Sequence, residues 1–262
     1  MAPAPDPLRR TALRAALLLP GLLAGYLVLD LRRVRRKAAA AALERFPVGL
    51  DFTLENPGAP RQRTIRYLAL GDSTVQGEGA SAPATTLPYR LAEQLSTRFR
   101  RVELRNIGVG GATTADVLRD QVPQIAGFVP DFVSISIGAN DVTKLKRRAE
   151  YLANVDRILA AVDAQPGVRA VILTVPALYT SPLLSPLFRA LVAVQTARFD
   201  AALPAVVGRH RAVLADTYNA TRHRFAQDPS LYSRDGYHPS DAGYAYWASA
   251  AAPAVARAVG GL

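Results

Sequence analysis

The chain contains no cysteine among its 262 residues. That excludes disulfides, thiolate nucleophiles and cysteine-held zinc, and leaves the compartment open. Histidine is nearly absent as well, with only His210, His223 and His238. Any imidazole base has to be one of these three, and a metal site built from several histidines is disfavoured. No Gly-Lys-Ser/Thr follows a glycine-rich loop, which argues against a P-loop. No serine stands in a Gly-x-Ser-x-Gly elbow, which argues against the ordinary α/β-hydrolase fold.

What is plentiful is apolar surface and positive charge. Half of the residues are hydrophobic and the net charge is +11. The length suits one α/β domain plus an extension. The charge is unevenly placed. Within residues 1–37, Arg9, Arg10, Arg14, Arg32, Arg33, Arg35, Arg36 and Lys37 stand against Asp6 and Asp30, a net of +6 that leaves +5 for the rest. The excess flanks an apolar segment and forms no extended basic face, so no nucleic-acid partner is expected.

That segment, residues 15–29, is uncharged. Fifteen helical residues reach about 22 Å, short of a hydrocarbon core of about 30 Å. Extension to residues 11–31 reaches the needed length and takes in Arg14 and Asp30 near its ends, where long side chains snorkel. Three readings compete: a membrane anchor, a cleaved signal peptide, and a helix packed on the domain or lying in the interface. The first is preferred, because a basic run follows directly and no clean small-x-small cleavage site precedes it. Three arginines before the segment and five Lys/Arg after it favour a single-pass anchor with the following domain on the cytoplasmic side; export is the alternative.

The expected organisation is an anchor at 1–37, a linker at 38–63 that comprises a short helix at 38–46 and a linker or first edge segment at 47–63, and one domain at 64–262. Short apolar strands are predicted at 65–71, 102–107, 132–137, 170–175 and 212–215. Helical spacing is read at 87–99, 114–128 (with Pro123 a kink), 146–164, 185–207 and 240–259, where Pro253 marks a kink or break. The alternation predicts an α/β fold, a three-layer α/β/α sandwich around a parallel five-stranded sheet, plus the N-terminal apolar helix. Ligands in such sheets bind beyond the carboxyl ends of the strands. Ser73, Gly111 and Asn140 each follow a predicted strand end.

Two short motifs carry the chemistry. Gly71-Asp72-Ser73 presents a serine after the first strand, and Asp235-Gly236-Tyr237-His238-Pro239 places a carboxylate three residues before an imidazole. A serine hydroxyl becomes a nucleophile when a base takes its proton, and the base needs an orienting acid. Between them, Gly110-Gly111 and Gly138-Ala139-Asn140-Asp141 are candidates for holding an oxyanion. Blander readings stand beside these: Ser73 or Asn140 as helix caps, Gly110-Gly111 as a tight turn, His238 as a surface loop residue. His210 and His223, among arginines, are expected to be solvated. Asp72 and Asp141 are expected to bond nearby backbone.

Taken together, Gly71-Asp72-Ser73, Asn106-x-Gly108-x-Gly110-Gly111-x-Thr113, Gly138-x-Asn140-Asp141 and Asp235-x-x-His238-Pro239 resemble the SGNH (GDSL-type) hydrolase family over about residues 65–247. The resemblance implies a flavodoxin-like fold and a serine esterase or lipase-like hydrolase that needs no cofactor or metal. It implies Ser73 as nucleophile, His238 as base and Asp235 as orienting acid. It also implies an oxyanion hole of the Ser73 and Gly111 backbone N–H groups and the Asn140 amide. Two departures stand out: Thr74 where leucine often follows the serine, and Gly110 where serine often precedes the oxyanion glycine. Leu178, Tyr179, Leu183 and Leu184 follow the fourth strand and are candidate substrate contacts for an acyl chain, or else pack in the core. Lipid esters, lysophospholipids and acyl thioesters are the favoured substrates. An acyltransferase or a carbohydrate deacetylase would use the same three groups, and a non-catalytic membrane-tethered binding module is the reading from a different class. Oligomeric state is not legible.

Overall fold

The computed structural model of the chain describes residues 21–22, 24–30, 32–34, 36 and 46–262. Much of the expected anchor at 1–37, and the short helix expected at 38–46 apart from the non-helical Phe46, lie outside the described residues. The domain is built on six strands: β1 (Leu50–Glu55), β2 (Arg61–Gly71), β3 (Phe99–Asn106), β4 (Phe132–Ser136), β5 (Arg169–Leu173) and β6 (Ala212–Ala215). They lie in the order β1-β3-β2-β4-β5-β6. β2 to β6 pair in parallel, while β1 pairs with β3 antiparallel.

The five parallel strands match the expectation, and β1 is an addition at the edge. It lies in the stretch read as a linker or first edge segment. Its alternation of half-buried Leu50, Phe52 and Leu54 with exposed Asp51, Thr53 and Glu55 is that of a strand with one covered face. Arg105 and Arg101 clasp Asp51 and Glu55 across the pair. Numbered among themselves, the parallel strands run 2-1-3-4-5, the flavodoxin-like order. The order reverses between β2 and β4, so Ser73 and Asn140, at their carboxyl ends, flank the switch point.

Both faces of the sheet are buried, and alternate residues serve different layers. Leu68, Leu70, Val133 and Ile135 enter a core covered by the helices Arg148–Asp163 and Pro186–Asp200. Ile65, Tyr67, Ala69 and Phe132 enter another, beneath Leu87–Ser96 and Asp241–Ala258. Where one helix was expected at 114–128, there is a turn at Thr114–Asp116, a π-helical turn at Val117–Gln121 and a helix Gln124–Phe128. Pro123 caps the last piece, since it has no N–H to continue the ladder. Pro253, by contrast, lies inside a continuous helix, Asp241–Ala258, held by buried Ala251, Ala254 and Val255.

Among the described residues, one helical stretch, Pro186–Val207, is long and apolar enough to cross a membrane by length and composition. It is interrupted after Asp200, restarts at Leu203 with Pro204 in its first turn, and packs Phe188, Val192 and Phe199 into the core. Residues 24–30 and 32–34 are helical too. Leu27 packs against the domain, Val34 is buried in its core, and Asp30 accepts a hydrogen bond from Ser185 Oγ. Leu22, Tyr26, Val28 and Leu29 remain exposed. The described part of this segment therefore matches the docked-helix reading along one face and keeps an apolar strip on the other.

The turn after β2 depends on Gly71. Its φ is 153°, and a Cβ there would lie 2.0 Å from the Ser136 carbonyl oxygen and 2.5 Å from Val75 Cγ2. Gln121 clamps the same residue, accepting from its N–H and donating to its C=O, both at 2.8 Å. Gly71→Ala should cost about 3 kcal/mol or more, from backbone strain and overpacking combined. Urea unfolding reads this as a lowered midpoint at unchanged slope; a midpoint at the wild-type value would refute the steric account.

Candidate active site

Each strand end contributes one part of the site. Asp72 caps the short helix Ser73–Gln76, its Oδ1 accepting from Thr74 N–H at 3.0 Å and Thr74 Oγ at 2.9 Å. Burial pushes the Asp72 carboxyl up to about 6, and the Thr74 bonds only partly offset that rise. Asp141 accepts from Thr114 N–H at 3.0 Å and Thr114 Oγ at 2.7 Å, tying the loop after β3 to the one after β4. Both acids bond nearby groups as expected and thereby fix the turns beside Ser73 and Asn140.

The loop before the last helix brings in the other groups. Asp235 Oδ1 accepts from Ser233 Oγ at 2.8 Å, Tyr237 N–H at 2.8 Å and His238 N–H at 2.9 Å. Its Oδ2 is 2.6 Å from His238 Nδ1. Burial opposes the charged carboxylate, but the His238 bond and these N–H donors outweigh it and hold Asp235 below the ordinary carboxylate range. On the far side of the ring, His238 Nε2 is 2.9 Å from Ser73 Oγ. Side chains 165 positions apart thus form one hydrogen-bonded chain, Ser73 to His238 to Asp235, with all three residues buried. With Asp235 ionised and accepting from Nδ1–H, Nε2 is left as the acceptor for the serine proton.

Ser73, Gly111, Asn140 and His238 line one cleft of about 500 Å³. The Ser73 and Gly111 N–H groups donate to no protein acceptor among the described residues. Asn140 Nδ2 donates one hydrogen to the Ala112 carbonyl at 3.0 Å, and its second N–H meets no acceptor among the described residues. Asn140 lies within the helix Ala139–Thr143, and Gly138 occupies the cap position, so it is not a helix cap. Gly111 has φ 81° and nothing within 4 Å of where a Cβ would be. Glycine is required there by the backbone conformation that aims the amide, not by close approach of other atoms.

Comparison with known proteins places the chain in a family. The model of the GDSL-like lipase/acylhydrolase family matches residues 69–246. The chain belongs to that family. It is 31% identical over 216 residues to a GDSL-like esterase of Mycobacterium tuberculosis, an alignment covering 76% of this chain and 66% of the relative. It is 29% identical over 185 residues to a lipase of Streptomyces rimosus, covering 57% of this chain and 67% of that protein. The chain therefore spans about two thirds of the length of these relatives. The fold resembles a lipase from a goat rumen metagenome (TM-score 0.59, 19% identity, 72% and 97% of the two chains covered). It also resembles the acetylxylan esterase Axe2 of Geobacillus stearothermophilus (TM-score 0.54, 18% identity, 76% and 95% covered).

The candidate substrate contacts divide in this GDSL-family chain. Leu183 and Leu184 line the cleft beside Ser73. Leu178 lines a narrow adjoining cavity that also touches Ser73 and His238. Tyr179 lines neither: its ring pairs with Tyr218, centroids 6.3 Å apart, because the short 3₁₀ turn Leu178–Thr180 directs it to the helix Thr217–Gln227. Sequence reading missed Gln76, Glu78, Thr143 and Lys144 on the cleft wall, and gave no role to Tyr237, which stands inside the histidine motif itself. His223 is exposed as expected. His210 is not solvated: its ring lies between Asp163 (2.8 Å) and Asp156 (3.1 Å), with the side chain only 10% exposed. Among the described residues no cluster of three or more His, Asp or Glu is placed to hold a metal ion.

Proposed function

We propose that this chain is a serine esterase that cleaves carboxylic esters through an acyl-enzyme intermediate. The observation that carries the reading is the 2.9 Å contact between Ser73 Oγ and His238 Nε2, backed by Asp235, at the mouth of a cleft with uncommitted N–H donors. Ser73 Oγ attacks the ester carbonyl carbon while His238 takes its proton and Asp235 steadies the imidazolium. The carbonyl electron pair moves onto oxygen, where the Ser73 and Gly111 N–H groups and the Asn140 amide receive it. Collapse expels the alcohol, which takes the proton back from His238. Water then repeats the sequence on the acyl-serine, releasing the acid and free Ser73.

The acyl side of the cleft is supported by Leu183, Leu184 and Phe188, together with Val34, Val48 and Val109. This apolar wall favours esters with a hydrocarbon acyl chain over acetyl groups on a carbohydrate. Membrane association through the N-terminal segment, with the domain on the cytoplasmic side, completes the proposal. Its support is the apolar run between basic flanks and the exposed strip of Leu22, Tyr26, Val28 and Leu29.

A fluorophosphonate probe followed by peptide mass analysis should label Ser73 alone and abolish hydrolysis of p-nitrophenyl esters. Labelling elsewhere, with activity lost, would move the nucleophile. In the same assay, rates from acetate to palmitate should peak beyond acetate. A maximum at acetate would instead favour deacetylation, and acyl transfer would show as a new ester when glycerol is added.

A further inference from the structure

We propose that the loop Lys144-Leu145-Lys146-Arg147-Arg148 docks the rim of the cleft onto an anionic lipid surface, with the Leu145 side chain entering the bilayer. The docking itself needs no hydrolysis. Its use to the chain, drawing an ester out of the membrane, rests on the esterase reading above.

The loop starts where the helix Ala139–Thr143, which carries Asn140, comes to an end. Leu145 N–H donates to the Val142 carbonyl at 3.0 Å, and Lys146 N–H donates to the Asp141 carbonyl at 2.8 Å. This pair of bonds closes a helix through a residue in the left-handed region. Leu145 is that residue, with φ 53°. Glycine or asparagine is usual at such a position, because a larger side chain crowds the backbone there. Packing does not offset the strain, since Leu145 is 53% exposed. A bulky apolar side chain is held outward against the preference of its own backbone, which points to a role outside the fold.

The neighbours of Leu145 indicate what receives it. Lys144 lines the cleft, and its Nζ donates to the Gly111 carbonyl at 2.8 Å. Val109, on the same cleft wall, is exposed. Gln195 Nε2 donates to the Lys146 carbonyl at 2.7 Å, so the helix Pro186–Asp200 adjoins the loop, and Val194 on that helix is exposed as well. Within residues 144–150, Lys144, Lys146, Arg147 and Arg148 stand against one acid, Glu150, which pairs with Lys146 at 3.3 Å. Arg147 and Arg148 are both exposed. A bilayer with anionic headgroups matches both features, offering negative charge at its surface and hydrocarbon just beneath. An acidic protein surface would match the cations and leave the leucine unexplained.

The chain has no cysteine, so Leu145→Cys gives a single site for an environment-sensitive nitrobenzoxadiazole dye. The labelled full-length chain is reconstituted into vesicles of phosphatidylcholine alone, or of an equal mixture with phosphatidylglycerol. Emission should shift to the blue, and be quenched by spin-labelled lipid, in the mixture and not in phosphatidylcholine alone. Molar salt should reverse the shift, because the Debye length falls to about 3 Å. Adding Arg147→Gln and Arg148→Gln should lower the docked-to-free ratio by roughly tenfold or more, at about fivefold for each cation. Val129 serves as the control: it too is exposed with positive φ, but it lies just before β4, at the ends of the strands away from Ser73. A dye on Val129→Cys should stay in water. A dye at position 145 that stays in water in the mixture, responds equally to phosphatidylcholine alone, or responds no more than one at position 129, overturns the proposal whatever the enzyme does.

Hydrolysis provides a second arm. Leu145→Asn suits a left-handed backbone, so it should raise the urea midpoint and keep the rate on soluble p-nitrophenyl butyrate. It should lower the rate on a long-chain monoacylglycerol in the mixed vesicles by about fivefold or more, through lost apolar burial. An unchanged vesicle rate in that variant overturns the proposal. Failure of wild type to cleave either ester overturns the esterase reading, and the dye then decides the docking alone.

Discussion

Replacing Ser73 by alanine is expected to remove about 10⁴–10⁶ of turnover on p-nitrophenyl esters. The hydroxyl is the one group that becomes covalently bonded in the proposed reaction. Water would have to attack unassisted by proximity, with His238 left to activate it from a pose built for serine. The fold should survive. Ser73 Oγ takes part in one side-chain bond, to His238, so its loss should change stability by about 1 kcal/mol or less. Its backbone N–H remains in the variant to hold an oxyanion, so substrate should still bind. Activity within tenfold of wild type, in a preparation free of host esterase, would remove Ser73 from the reaction.

Asp235→Asn tests the relay at its other end, and about a 10⁴-fold fall in turnover is expected. Asp235 Oδ1 accepts from Ser233 Oγ, Tyr237 N–H and His238 N–H. An asparagine would keep its amide oxygen on those three donors, because burying them without an acceptor is costly. Its NH₂ group would then face His238 Nδ1, which would have to become an acceptor. The ring would carry its proton on Nε2 and could no longer take one from Ser73. The loop should hold its shape, so the loss should fall on turnover, with KM little changed. Asp235→Ala strands the same donors and should lower stability as well. Equal activity of Asp235→Asn and wild type would show that the carboxylate orients nothing of consequence.

The parts of this molecule that sequence made legible are those where local chemistry and global placement coincide. Ser73, Gly111 and Asn140 stand after apolar strands, and a parallel sheet gathers such ends at one edge. The distance between Ser73 and His238 followed once the two motifs were taken as one machine. β1 was harder: Pro57, Gly58 and Pro60 signalled a linker, although the period of two in Leu50, Phe52 and Leu54 was present. The helix Thr217–Gln227 escaped because it is polar, with only Thr217, Thr221 and Phe225 buried. His210 looked solvated among arginines, yet its partners Asp156 and Asp163 lie about fifty residues earlier on the helix Arg148–Asp163, a pairing no local pattern reveals. Tyr179 and Leu184 are near neighbours in sequence, and the 3₁₀ turn ending at Thr180 sends them to different places. Glu78 had only its setting between two glycines to mark it.

The wall contributed by Val34 has a consequence for how the protein can be handled and how it works. That residue follows closely on the exposed Leu22, Tyr26, Val28 and Leu29 and on Asp30, which is fastened to Ser185. The exposed apolar strip and part of the cleft wall then come from one stretch of chain. A version trimmed ahead of Phe46 would leave one side of that cleft open.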